Sequence, residues 1–198
     1  MATRASAQAR RWRSSWLLGM LLLAAVAHAG ERPPADPALR ADIASALVRP
    51  DGARFVPHHW GDGPEIVALY VGADWCGPCH AFVPTLRTVR DALRAAGADT
   101  EVVYVSLDAS DADMRRYMRL QAMPWSAIDH RRLRTLPSIR ALAGVAPPNL
   151  VLIDREGRVL ASAWDGRRYT GLQVVLQRWR EAFQTPPVAP VDVTTRAR

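Results

Sequence analysis

Lysine is missing from this chain: all 26 Lys-or-Arg positions are arginine, set against 19 acids for a formal net charge of +7. An arginine-only basic set reads as compositional bias of the genome, and pairs such as Arg131-Arg132 and Arg167-Arg168 read as solvated faces, so no nucleic-acid partner follows. Long apolar runs are also lacking. The run Trp16 to Ala27 has 12 residues, short of the roughly 18 or more expected of a spanning helix. It follows Arg4, Arg10, Arg11 and Arg13 with no acid among them and precedes Ala27-His28-Ala29, the pattern of a secretory signal peptide over residues 1–29. Arg10-Arg11 fits an ordinary basic lead-in better than a twin-arginine signal. Cleavage after Ala29 lowers the excess of basic over acidic residues from seven to three and leaves 169 residues, which suits one domain with a proper core. The expectations are a periplasmic monomer with no stable membrane span.

Cysteine is scarce as well. Cys76 and Cys79 are the only two, so the fold of an exported protein must stand without disulfide staples. His58-His59 lack a carboxylate or a further histidine at metal-like spacing and read as loop residues, and neither a metal nor a cofactor is called for. No internal repeat is present.

What the chain does have is Trp75-Cys76-Gly77-Pro78-Cys79-His80, where an apolar strand turns into a helix. Ile66 to Val71 is rich in strand formers, and Phe82, Leu86, Val89 and Leu93 repeat at helical spacing, which predicts a strand and then a helix over 77–96 stopped at Gly97. Cys76 therefore caps a helix. A thiol there lies near the partial positive charge and unpaired N–H groups of the helix start, which favour thiolate and mark Cys76 as a nucleophile. Pro78 suits an opening turn, where its missing N–H costs nothing, and the two-residue spacing lets Cys79 reach back as resolving thiol. Three other readings stay open here. Cys-x-x-Cys-His is also a c-type haem attachment pattern, with Met114, Met118 or Met123 as axial partner, although it leaves the preceding strand and Trp75 unexplained. Half a zinc site would have to recruit from His58, His59, His80 and His130 without finger-like spacing. A purely structural disulfide closing so short a loop would stabilise little.

The cysteine motif resembles the active site of the thioredoxins, and its surroundings extend the likeness. Pro84 matches the proline that kinks the active-site helix, removing the hydrogen bond to the His80 carbonyl. Gly144 to Asp154 resembles the segment in which a cis-proline precedes a core strand and faces the dithiol; Pro148 aligns with that proline, and an X-Pro bond is where cis geometry is found. The resemblance implies that Trp75 shields the bridge and that Pro148 shapes the docking face. Pro147 departs from the pattern, because the residue before the cis-proline usually offers its backbone to a substrate strand and a proline has no N–H. Tyr70 stands six residues before Cys76, where thioredoxins proper carry a buried acid that helps move protons on and off the resolving thiol. Tyrosine at that place, together with Met123-Pro124-Trp125, resembles the tryparedoxin and nucleoredoxin branch. Trp125 is expected either to pack after a helix end or to line the site.

The remaining elements read in order. Residues 30–51 form an N-terminal extension, whose helix is marked by Leu39, Ile43 and Leu47, ends near Arg49-Pro50 and is followed by a turn at Asp51-Gly52. Strands are predicted over 53–56, 66–71, 101–108, 149–154 and 158–163, the last two joined by Arg155-Glu156-Gly157. Ser110 caps one helix, 131–143 forms another interrupted at Pro137, and Thr170 with Gln173 makes a capping box for the last, whose inward face is Leu172, Val175, Leu176 and Trp179. Residues 185–198 are Pro-rich and read as a disordered tail. The resemblance implies a thioredoxin-like α/β three-layer sandwich, a central mixed sheet flanked by helices, over residues 52–184. It also implies a thiol-disulfide oxidoreductase with disulfide-bearing client proteins and an unidentified electron donor. The Gly77-Pro78 pair resembles reductants more than oxidants. Asn149 departs from maturation-type relatives, which often carry an acid after the cis-proline. A client-binding or chaperone module on the same fold is the other class, and two intact cysteines argue against it.

Overall fold

The computed structural model describes residues 33–184, so the leader read from 1–29 and the tail read from 185–198 lie outside the described residues. Its centre is a seven-stranded mixed sheet: β1 (Leu47–Asp51), β2 (Arg54–Pro57), β3 (Ile66–Gly72), β4 (Thr100–Ser106), β5 (Ser126–Ile128), β6 (Asn149–Ile153) and β7 (Val159–Ser162), in the order β2-β1-β5-β4-β3-β6-β7. Strands β3, β4 and β5 are parallel, while β6 runs antiparallel to β3 and β1 antiparallel to β5. Helices cover both faces. Leu39 and Ile43 of α1 (Pro37–Ser45) and Ile139 of α4 (Pro137–Ala141) pack with Val67, Leu69 and Val71 on one side. On the other, α2 (Gly77–Ala95), α3 (Asp111–Leu120) and α5 (Leu172–Gln184) pack with Ile66, Ala68 and Tyr70. Successive side chains of a strand alternate between faces, so a strand covered on both sides must be apolar throughout. That is why Ile66 to Val71 is an unbroken apolar run, and why all of β3 is buried.

The active-site helix forms as expected. Cys76 is its N-cap, Pro78 lies in the first turn, and Cys79, Phe82, Val83, Leu86 and Val89 form its buried stripe. Each such side chain, taken fully out of water, contributes about 1.5–3 kcal/mol before the entropy of ordering it. Gly97 ends the helix with φ of 88°, a conformation that glycine adopts without a Cβ clash.

Several sequence expectations are corrected. The first helix stops at Ser45, and Leu47 lies not on that helix but on β1, whose register with β5 and hairpin with β2 draw Leu47 and Val48 into the sheet. A domain boundary at 52 therefore cuts one hairpin in two, and α1 belongs to the main core. The three-residue β5 was not anticipated; it forms along the free edge of β4. Residues 131–143 divide into a 3-10 turn, Leu133–Thr135, and α4 starting at Pro137. The capping box is absent: Thr170 Oγ1 donates instead to the Ser162 carbonyl, and α5 starts at Leu172. After β7 the chain adds a small hairpin, β8 (Trp164–Asp165) with β9 (Arg168–Tyr169). No helix among the described residues is long and apolar enough to cross a membrane.

Candidate functional site

Strand β3 delivers the chain to the cysteine loop at Gly72, and α2 carries it away. Cys76 and Cys79 form a disulfide with a Cα separation of 5.2 Å. The Cys79 N–H is shared between Cys76 Sγ at 3.2 Å and the Cys76 carbonyl oxygen at 3.0 Å; in the reduced protein that N–H and the helix dipole would favour a thiolate there. Cys76 retains a small accessible area, 4%, whereas Cys79 has none. The outer sulfur can be reached first. Gly77 and Pro78 close the loop between them with exposed backbone at the helix start.

The segment Ala73–Trp75 ahead of Cys76 is held by two polar anchors. Asp108, buried just past β4, accepts at Oδ1 from the Asp74 N–H (2.8 Å) and at Oδ2 from the Ser106 hydroxyl (2.7 Å), and the single Tyr104 hydroxyl proton is shared between Oδ2 (3.3 Å) and the nearer Gly72 carbonyl (3.1 Å). Two full donors and a share of the Tyr104 proton offset the cost of burying the carboxylate. On the outer side, Arg116 of α3 pairs with the Asp74 carboxylate, and His80 Nε2 donates to the Asp74 carbonyl at 2.6 Å. Gln121 Nε2 donates to His80 Nδ1 at 2.8 Å, which matches the Nε2–H tautomer. His80 thereby ties the cysteine loop to the end of α3.

Beneath the cysteines lie phenols. The Tyr70 hydroxyl is 3.0 Å from that of Tyr117 and 3.5 Å from the Cys79 carbonyl oxygen, and its ring stacks on Tyr104 with centroids 5.5 Å apart. Burial, reinforced by Tyr117, pushes the Tyr70 pKa far up; burial raises that of Tyr104 and lifts Tyr117 to about 12. All three stay protonated near neutral pH, so they hold hydrogen bonds and do not act as bases. Gly72 is small for a reason. A Cβ there would sit 2.5 Å from the Tyr70 hydroxyl, because Tyr70 and Gly72 share a face of β3 and the ring leans over the glycine.

The other residues singled out from sequence fall as follows. The Pro147–Pro148 peptide is cis, and Pro148 is buried. Asn149 pairs with Val71, so Pro148 stands level with the end of β3, next to the cysteine loop. Trp75 is 65% exposed at the rim, a placement that leaves most of the indole in solvent. Trp125 packs in the core on the α2 side and borders a cavity of about 380 Å³ with Arg49, His58, Trp60, Arg94 and Glu101. These residues lie where β3 and β4 begin, at the end of the sheet away from the cysteines, which places Trp125 with the packing alternative. Met114, Met118 and Met123, one of which the haem reading needs as axial partner, are all buried, the first two on α3 beside Tyr117, and the sulfurs of Cys76 and Cys79 are bonded to each other. Asp108 and Tyr117 were missed from sequence, and His80 was weighed there only as a haem-motif or zinc residue and not as an anchor of the cysteine loop. A Ser-x-Asp at the end of an apolar strand was the available signal for Asp108, since it lets one side chain fold back on the other.

A family model described as Thioredoxin-like matches residues 63–159. The chain is 34% identical over 107 residues to a probable nucleoredoxin 3 of Oryza sativa subsp. japonica, which covers 52% of this chain and 21% of that protein. It is 30% identical over 97 residues to the nucleoredoxin of Homo sapiens, covering 48% and 21%. The matches thus span about a fifth of the length of these curated relatives. Among solved structures, tryparedoxin II from C. fasciculata superposes with a TM-score of 0.52 at 25% identity, over 63% of this chain and 86% of that one. Native tryparedoxin I from Crithidia fasciculata, at 20% identity and a TM-score of 0.54 over 76% of this chain and 97% of that one, shares the fold.

Proposed function

We propose, on the premise that this chain is a thioredoxin-like protein allied to the nucleoredoxins and tryparedoxins, that it is a thiol-disulfide oxidoreductase reducing disulfides in client proteins. The observation that carries this reading is the pairing of an N-capping, slightly accessible Cys76 with a fully buried Cys79. In the reduced protein the Cys76 thiolate attacks one sulfur of a client disulfide; a Cys76–client mixed disulfide forms and the first client sulfur leaves as a thiolate that takes up a proton. Cys79 then attacks Cys76 Sγ, releasing the second client thiol and closing the Cys76–Cys79 bond. Two electrons pass to the client, and a dithiol donor must return them.

Charge near the sulfurs favours Cys76 as the attacking group. Its Sγ meets the Cys79 N–H and the start of a 19-residue helix, whereas Cys79 lies inside, against the phenols. Tyr70 stays protonated and its hydroxyl meets the Cys79 carbonyl oxygen, so it is no base for the Cys79 thiol, whose proton leaves by another route. Export fits the same picture. The leader read from residues 1–29 would deliver the protein to an oxidising compartment, where client disulfides form and a reductant has work; the mass of the mature chain, beginning at Gly30, tests that.

The deciding experiment is dithiothreitol-driven reduction of a model peptide disulfide by the purified protein. Cys76→Ser should abolish it, and Cys79→Ser should accumulate the mixed disulfide. A Cys76→Ser variant as fast as wild type would refute the assignment.

A further inference from the structure

The segment Gly144–Pro148 brings Pro148 to the cysteine loop, yet it is neither helix nor strand and Gly144, Val145 and Ala146 are exposed. Its anchor comes from the β8–β9 hairpin. Trp164 donates its indole N–H to the Ala146 carbonyl at 3.0 Å, two residues before Pro148. The same ring lies flat against Gly144, where a Cβ would come within 2.5 Å of Trp164 Cδ1 and 2.9 Å of Cγ. Gly144 also has φ of +76°, so both its backbone and its missing side chain suit this contact. Tyr169, opposite Trp164 in the hairpin, backs the indole with ring centroids 5.1 Å apart. The hairpin is in turn fixed to the sheet: the Trp164 N–H donates to Ser162 Oγ, Thr170 donates through N and Oγ1 to the carbonyls of Ala163 and Ser162, and the Ala163 N–H donates to the Leu150 carbonyl of β6.

We infer that Trp164 is a positioning residue for disulfide exchange: carried on the β8–β9 hairpin, its indole clamps Gly144–Ala146 and so sets Pro148 beside Cys76. The inference rests on the function proposed above. It also adds to the effect of Pro147. With no N–H on Pro147 or Pro148 and the Ala146 carbonyl already engaged, this edge has little main chain to offer an extended client, and exposed side chains such as Val145 and Trp75 carry the recognition.

Trp164→Phe keeps a ring against Gly144 and Tyr169 but removes the N–H. NMR order parameters of the Val145 and Ala146 amides should fall in that variant, a readout that needs no activity. In the peptide-disulfide assay KM should rise roughly 2- to 12-fold, the range that one neutral hydrogen bond supplies. Alkylation of reduced Cys76 by iodoacetamide should keep its wild-type rate, because the helix start governs it. Gly144→Ala, which drives the indole away from the other side, should give the same pattern and serves if Trp164→Phe folds poorly. Arg167→Ala, at the exposed tip of the hairpin, should leave all three measurements unchanged. Unaltered order parameters and KM in both clamp variants would overturn the inference, as would alkylation slowing in step with KM, which would make Trp164 a general support of the fold. Should the wild-type protein reduce no disulfide at all, the functional reading fails, while the order parameters still decide whether Trp164 holds the loop.

Discussion

The two ends of the central sheet are built to different standards. Where β3 and β4 finish, one buried carboxylate accepts from a backbone N–H and a serine hydroxyl, two phenols share a hydrogen bond, and a glycine is pressed against a hydroxyl. Where the same strands begin, a cavity of about 380 Å³ opens, and the buried polar atoms Arg40 Nη1, Trp125 Nε1 and Ser126 Oγ have no hydrogen-bond partner among the described residues. Asn149 Oδ1 is the one comparable atom at the cysteine end. Close packing and satisfied polar groups restrict a structure to one arrangement, and disulfide exchange needs that where two sulfurs must meet in line. The opposite end carries no such demand.

The comparison would break first at Gly72. Gly72→Ala places a methyl 2.5 Å from the Tyr70 hydroxyl and 2.8 Å from its Cζ, and Tyr70 has no exposed surface into which it could retreat. Overpacking plus loss of the Tyr70–Tyr117 bond should destabilise the protein by roughly 3 kcal/mol in urea unfolding. Adding Tyr70→Phe removes the nearest atom of the clash, so the double variant should be less destabilised than the two single effects summed. A Gly72→Ala protein with wild-type stability would show that the cysteine end is looser than described.

Alkali sharpens the contrast next. Ordinary tyrosine ionises near pH 10, as lysine does, but this chain has no lysine to blur the range. Burial holds Tyr70 and Tyr104 far above that value and Tyr117 at about 12, so above pH 10 the unfolded chain loses protons that the folded chain keeps. Stability should therefore be level from neutral pH to about 10 and then fall, by about 1.4 kcal/mol per pH unit for each fully buried phenol. Urea midpoints at pH 8, 10 and 11 test the sign and onset; a stability that rises above pH 10 would contradict the burial of the phenols.

How far the sequence alone reaches follows from the range of each interaction. Strand β3, the active-site helix with its Cys76 cap, and Pro148 before β6 were legible because each announces itself within a few residues. Leu47 misled, since Leu39, Ile43 and Leu47 fit a helical period and only pairing with β5, about 80 residues later, makes Leu47 a strand residue. Three-residue β5 carries no periodic signal of its own. Tyr117 was readable as part of an apolar helix face, but its bond to Tyr70 spans 47 residues, and the Asp74–Asp108 anchor spans 34. Trp164 likewise meets Ala146 across 18 residues of turn and hairpin. Such contacts depend on topology, which local patterns do not encode.

The smallest effect is expected from a matched pair of serines. Ser106 and Ser126 are both buried strand residues, but Ser106 Oγ donates to Asp108 at 2.7 Å and accepts from the Asp108 N–H at 3.1 Å, whereas Ser126 Oγ has no partner among the described residues. A hydrogen bond to a charged group contributes about 1.5–3 kcal/mol, and its loss leaves the carboxylate with one donor fewer. Ser106→Ala should thus cost close to 2 kcal/mol. Removing an unpartnered buried hydroxyl takes away a desolvated group and no bond, so Ser126→Ala should change stability by less than about 0.5 kcal/mol or raise it slightly. Equal losses in urea unfolding would mean that Ser126 has found a partner, such as a water held in the neighbouring cavity, and that the two ends of the sheet are satisfied alike.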